Sequence, residues 1–207
     1  MLKYFQPDFE SEAGEIWMKG PNLMKGYWNM DAETQKVIDP QGWFHTGDIG
    51  KFHKGYLKIT DRIKNIIVNA YGKNIYPMQV ENVYLVSRKI EQIFIIGDQR
   101  DYLTAIIVPS KEELAETFQK PDAWFFENHI WIDEEPIRKW IQDDIKKEGQ
   151  HLAKFERIRG FLLKRQPFSV ESGEMTPKQS IRRKVVESRY ADDIDDLYLA
   201  LSGESDD

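Results

Sequence analysis

The hydrophobic pattern changes period several times along the chain, and each change marks a predicted element. Glu15-Ile16-Trp17-Met18-Lys19 alternates as a strand does and is closed by Gly20-Pro21. Asp31 to Val37 reads as a short helix with Asp31 as N-cap and Glu33 in its first turn. Thr46-Gly47-Asp48 reads as a tight turn that presents a carboxylate just after Trp43-Phe44. Ile49 and Phe52 before Lys54-Gly55, with Leu57 and Ile59 after it, predict a β-hairpin. The charges of Asp61-Arg62-Ile63-Lys64 then interrupt the pattern ahead of a buried strand, Ile66 to Val68.

Downstream the pattern is α+β. Tyr71-Gly72-Lys73-Asn74 is a polar loop, and Pro77 opens a helix to about Val86 with Val80, Val83 and Tyr84 on one face. Ile93 to Ile96 and Leu103 to Val108 read as buried strands, the second ended by Pro109, and Lys111 to Phe118 as a helix. Residues 119 to 135 depart from a compact pattern, although Trp124-Phe125-Phe126 and Ile130-Trp131-Ile132 are apolar enough for a core. Asp133-Glu134-Glu135-Pro136 opens a helix with Ile137, Trp140, Ile141 and Ile145 as its buried stripe, ending at Gly149. Lys154 to Ile158 leads into a strand, Phe161 to Lys164. After a loop from Glu171 to Pro177 come a helix with a basic face, Ser180 to Tyr190, and another over Ile194 to Leu201.

Composition narrows the function classes. Of 207 residues 41% are apolar and 31% charged, enough to bury a core, and no apolar run approaches the length of a membrane span. Residues 1 to 13 carry no readable chemistry and no signal pattern. The absence of cysteine excludes a disulfide scaffold and fits a cytoplasmic protein. A net charge of −6, part of it in Asp192-Asp193-Ile194-Asp195-Asp196 and Glu204-Ser205-Asp206-Asp207, argues against nucleic acid as a partner. His45, His53, His129 and His151 lack the spacing of a metal helix, so no resident metal is expected.

GWFHTGDIG, then ITDRIKNIIV, then GKNIYP followed by Val80-Glu81, resembles the adenylate-forming superfamily, and within it most closely the long-chain fatty-acyl-CoA ligases. GEIWMKGPNLMKGYW resembles the family's GE-x-x-x-x-G-x-x-x-x-x-GY segment, which makes Gly14, Gly20 and Gly26 backbone-turn positions. The resemblance runs from Gly14 to about Tyr198. It implies that residues 1–61 are the β-rich end of a large adenylation domain, residues 62–65 a hinge, and residues 66–207 a small mobile α+β lid domain with a three-stranded sheet and helices. The function it implies is joining a long-chain fatty acid to CoA through an acyl-adenylate, with ATP carrying Mg²⁺ and CoA as substrates. The family's phosphate-gripping loop and acyl pocket would precede residue 1. The chain alone is therefore expected to be inactive, and residues 1–60 to self-associate or be cleaved first by protease. Peripheral membrane association would come through the acyl substrate.

Each site residue also has a plainer reading. Asp48 either caps local backbone or, as the resemblance implies, takes both ribose hydroxyls of ATP, to which two carboxylate oxygens are suited. Arg62 is either a solvated charge or a second ribose contact. Lys64 is either a surface lysine or the hinge on which the lid swings. Gly72 and Lys73 form a turn in any case, and the resemblance adds a role lining the pantetheine tunnel, which Tyr71, where many relatives carry a second glycine, would narrow or stiffen. Gly173-Glu174-Met175-Thr176-Pro177-Lys178-Gln179-Ser180-Ile181-Arg182-Arg183-Lys184 resembles the closing motif TPT-x-K-x-[RK]-R, whose lysine bridges the acyl carboxylate and the α-phosphate. Ser180 stands at that position. Lys178 lies two residues before it and Arg182 two after; on a helix such neighbours face away, so the lysine is not carried over and either cation, Lys178 first, is at most a substitute. Arg182-Arg183-Lys184 also reads as a solvated helix face. Two alternatives stay open: an adenylating enzyme that delivers its acyl group to a carrier protein or another acceptor, and a non-catalytic remnant or binding module, which Ser180 and the missing phosphate loop both favour.

Overall fold

The computed structural model describes residues 2–4, 13–125 and 129–203. Phe126 of the aromatic run and the acidic 204–207 tail lie outside the described residues. The chain divides between Ile66 and Ile67 into two compact units.

The first unit is built on one long hairpin. β3 (Phe44–His53) and β4 (Tyr56–Arg62) pair antiparallel, joined by Lys54-Gly55 at φ +49° and +81°, the left-handed pair a two-residue turn requires. β2 (Gly14–Met18) pairs with β3, and β1 (Leu2–Tyr4) pairs with β2, so the sheet order is β1-β2-β3-β4. A short helix α1 (Asp31–Val37) lies between β2 and β3, with Met30 rather than Asp31 at its N-cap and no side-chain cap. The Thr46-Gly47-Asp48 turn is corrected to a bulge. Glu15 faces Ile49 while Trp17 faces His45, so β3 carries extra residues there and continues through them. Gly47 supplies the required φ of +70°. The charged run does not end the ladder either, because Arg62 is the last residue of β4 and pairs with Asp48.

The second unit is a mixed three-stranded sheet, order β7-β8-β9, comprising β7 (Ile90–Ile96), β8 (Leu103–Pro109) and β9 (Ile158–Leu163) in this numbering. The small ladder of β5 (Ile67–Val68) with β6 (Asn74–Ile75) stands apart from it. β7 runs antiparallel to β8 and β9 parallel to it, so the central β8 is buried along its whole length. Strand alternation splits the core in two. Ile93, Ile95, Ala105, Ile107 and Phe161 pack with residues of α2 (Pro77–Tyr84), α3 (Lys111–Phe118), α4 (Asp122–Phe125) and α5 (Glu135–Glu148). Phe94, Ile96, Ile106 and Val108 pack with residues of α6 (Arg183–Arg189) and α7 (Ala191–Gly203). This is the expected α+β fold.

Three sequence readings change here. The helix after Pro77 stops at Tyr84. The helix expected from Ser180 starts only at Arg183, leaving Ser180 in a hairpin described below. Arg183 is not solvated: its guanidinium pairs with Glu81 at 3.0 Å, lies 4.3 Å from the Phe94 ring and donates to Ile95 O.

Candidate functional site

In the first unit the β3 bulge sets Asp48 opposite Arg62. Thr46 Oγ1 donates to Ile16 O at 2.7 Å and accepts from Asp48 N at 3.0 Å, while Gly47 N donates to Glu15 Oε1 at 3.1 Å. These bonds fix the backbone that carries the carboxylate. Arg62 Nε donates to Asp48 Oδ1 at 2.8 Å. The pair is 29% exposed on the Asp side and 53% on the Arg side. Asp48 Oδ2 and the two terminal guanidinium nitrogens have no partner among the described residues, so two acceptor lone pairs and several donors converge on one patch of surface. Lys64 is exposed in the 3₁₀ turn Ile63–Asn65, just before the boundary between the units.

In the second unit the loop of Gly72 and Lys73 is held from inside. Buried Asn69 accepts through Oδ1 from Tyr71 N at 3.1 Å and Lys73 N at 2.9 Å, and Gly72 N donates to Asn69 O at 2.9 Å. Gly72 takes φ +72°. The loop also rests on the next one: Ala70 N donates to Arg100 O at 3.0 Å, and Gln99 N to Val68 O at 2.9 Å. Gly72, Lys73 and the Tyr71 ring are left exposed.

Tyr71 lines an open cleft of about 670 Å³ that sequence reasoning missed, together with Asp101, Tyr102, Lys154, Arg157, Ile158, Arg159 and Ser202. Arg157 is oriented by Leu152 O and Gln150 O, both at 3.0 Å, and Arg159 lies 4.5 Å over the Tyr102 ring. Three cations against one carboxylate, with two phenols, leave the lining net positive and suit an anionic ligand with a planar group. The signal was the basic spacing Lys154, Arg157, Arg159, of which the first two counted only as the approach to a strand and the third was not singled out.

The closing motif forms a hairpin. Met175 bridges Ile181, Thr176 N donates to Ser180 O at 2.9 Å, and Gln179 N donates to Thr176 O at 2.8 Å. The tip is Pro177-Lys178-Gln179, with Gln179 at φ +59°. Lys178 and Ser180 are both exposed, so the helical argument for their facing apart does not apply. Beneath the hairpin lies a buried cluster that sequence reasoning also missed. Glu174 receives Ser172 Oγ at 2.8 Å, Arg189 NH1 at 3.1 Å, Lys164 Nζ at 3.5 Å and the Tyr190 hydroxyl. Burial acts to raise the Glu174 pKa, but the hydrogen bonds from Tyr190 and Ser172 and the charge of Lys164 outweigh it and hold the carboxyl below the usual range. Burial pushes the Lys164 ammonium down against the pull of Glu174, and burial together with the bond to Glu174 pushes the Tyr190 phenol up. Among the described residues no three His, Asp or Glu side chains converge as a metal centre.

The comparisons with known proteins say to which family this fold belongs. The AMP-binding enzyme C-terminal domain model matches residues 64–202, and the chain belongs to that family. It is similar to long-chain-fatty-acid–CoA ligase 1 of Cavia porcellus, 38% identical over 194 residues, which are 91% of this chain and 27% of that protein. It is also similar to long-chain-fatty-acid–CoA ligase 5 of Rattus norvegicus, 37% identical over 97% of this chain and 29% of that protein. The chain thus spans little more than a quarter of these relatives. Among solved structures, the A domain of a carboxylic acid reductase from Segniliparus rugosus, in complex with AMP and a co-purified carboxylic acid, matches with TM-score 0.79 and 27% identity, over 96% of this chain and 30% of that one.

Proposed function

We propose that the chain works as the C-terminal part of an ATP-dependent long-chain fatty acid–CoA ligase, which first forms an acyl-adenylate and then passes the acyl group to CoA. The Asp48–Arg62 pair carries this reading. A carboxylate with one oxygen engaged and one open, beside a guanidinium with free donors, suits the two hydroxyls of an ATP ribose. AMP in the Segniliparus relative supports a nucleotide site, and the names of the curated relatives support the fatty acid and CoA. Mg²⁺ enters with ATP. Residues 62–65 act as the hinge at Lys64, between the two units.

CoA is favoured over a carrier-protein thiol by the Lys154–Arg157–Arg159 cleft beside the Gly72-Lys73 loop, because CoA brings phosphates and an adenine to match the cations and phenols. Lys178 is the cation offered to the α-phosphate, at the tip of the hairpin that also carries Ser180. The test of the acceptor is to titrate CoA, dephospho-CoA and pantetheine into the isotopically labelled chain. Shifts at Lys154, Arg157 and Tyr71 that weaken in that order support CoA. No shift with any of the three returns the acceptor to a carrier protein.

A further inference from the structure

The hairpin that presents Lys178 is fastened below by charge on both sides, buried under the first arm and half-buried beyond the second. On the first arm Glu174, 1% exposed, is tied to Lys164 at the end of the sheet and to Arg189 and Tyr190 at the end of α6. Its backbone carbonyl accepts from Arg182 N at 2.8 Å, which closes the hairpin base. Beyond the second arm Arg183 pairs with Glu81. Among the described residues the tip makes the local bonds of Thr176, Gln179 and Ser180. A three-residue tip on such a stem moves with its base. One buried carboxylate bound by two cations and two hydroxyls is a costly arrangement to keep merely for stability, since apolar replacements of buried ion pairs are often as stable.

We propose that Glu174 is a positioning residue for Lys178: by anchoring the hairpin base to β9 and α6 it fixes where the Lys178 ammonium stands. The proposal rests on the reading of Lys178 as the α-phosphate contact. Glu174 touches no substrate and acts only through the tip. A shift of the tip by about 1 Å lowers the rate of the step it serves by up to about a hundredfold and leaves nucleotide affinity nearly unchanged.

The test is ATP–pyrophosphate exchange in the whole ligase with Glu174→Gln, Lys178→Ala and the double variant. Glu174→Gln should lower kcat at unchanged KM for ATP, and the double variant should be no slower than Lys178→Ala alone. If Lys178→Ala keeps full activity, the reading of Lys178 falls and this proposal falls with it. If Lys178→Ala is slow while Glu174→Gln is not, Lys178 stands and the positioning role is overturned, as it is by losses that add in the double variant. Should Glu174→Gln fold poorly, Tyr190→Phe removes one donor to Glu174 and should give a smaller loss that again vanishes in the Lys178→Ala background. In the chain alone, amide exchange at Gln179 and Ser180 should accelerate in either variant, and unchanged exchange overturns the proposal whatever the activity.

Discussion

Glu174 Oε2 lies 3.5 Å from Lys164 Nζ with both side chains almost out of water, 1% and 4% exposed. Two charges removed from solvent attract strongly in the low-dielectric interior, and removing either one leaves the other buried without compensation. Glu174→Ala strands Lys164, so it is expected to cost about 3–5 kcal/mol. Arg189→Ala removes a partner that is 42% exposed and leaves Glu174 bound by the rest, and is expected to cost about 1 kcal/mol or less. Urea midpoints of the two variants check this. Equal small losses would mean the cluster is not electrostatically coupled.

The same carboxylate sets an acid limit. Its folded pKa lies below the ordinary 4.5, and Asp144, held by Lys89 and Ser87 against the opposing effect of burial, lies below its ordinary 3.8. A depressed carboxyl contributes stability that is complete above its unfolded pKa and is lost as pH falls through the folded value. The second unit should therefore weaken below about pH 4.5, and Glu174→Gln should flatten the upper part of that acid limb. Urea midpoints between pH 7 and 3 give the slope. A wild-type curve as flat as the variant's would contradict the assignment.

Where alternation is strong the elements were legible. Ile49, Phe52, Leu57 and Ile59 flank a Lys-Gly turn, and the hairpin forms there. The Gly47 misreading has a physical cause: a bulge and a turn both call for a residue at positive φ, so the glycine alone does not separate them. The helix expected from Ser180 failed because Gln179 closes a hairpin in the left-handed region, a conformation that glutamine does not advertise. Asp48 and Arg62 could be singled out, yet their pairing depends on a bulge in register. Glu174 fell inside the closing motif and Lys164 at a strand end, but nothing in either position announced the buried cluster they share. A lone buried charge has no periodicity, and its partners come from three separate segments.

Gly149 touches the core at a point that also bears on the cleft. A Cβ there would stand 2.8 Å from the hydroxyl of buried Tyr84, which accepts the Ile158 N–H at 3.2 Å. That ring cannot swing aside in a packed interior, so Gly149→Ala is expected to cost about 1–3 kcal/mol. It should also loosen the start of β9, between Arg157 and Arg159. Thermal unfolding and amide exchange at Ile158 check this, and an unchanged amide would show that the ring has room to move.

Asp48→Asn separates binding from folding. The ion pair with Arg62 is half in solvent, so its loss should change stability by less than about 1 kcal/mol. In the whole ligase the same change should raise KM for ATP about tenfold or more, with KM for CoA unmoved, since hydrogen bonds to a charged group contribute about 1.5–3 kcal/mol. A rise in both constants would place Asp48 in the conformational change rather than at the ribose.

The proposed role of Lys178 can be separated from one at position 180. Both side chains are exposed on one short hairpin, and Ser180 N donates to Thr176 Oγ1 at 3.2 Å, so position 180 belongs to the stem and position 178 to the tip. If the tip lysine reaches the phosphate, Lys178→Ala should lower pyrophosphate exchange about a hundredfold or more, the scale of losing one charged group that stabilises a transition state. Ser180→Lys in the native background should then change little, and in the Lys178→Ala background it should restore part of the rate. A large gain from Ser180→Lys alone, with Lys178→Ala neutral, would mean that the native hairpin supplies no cation and that the chain serves in binding rather than adenylation.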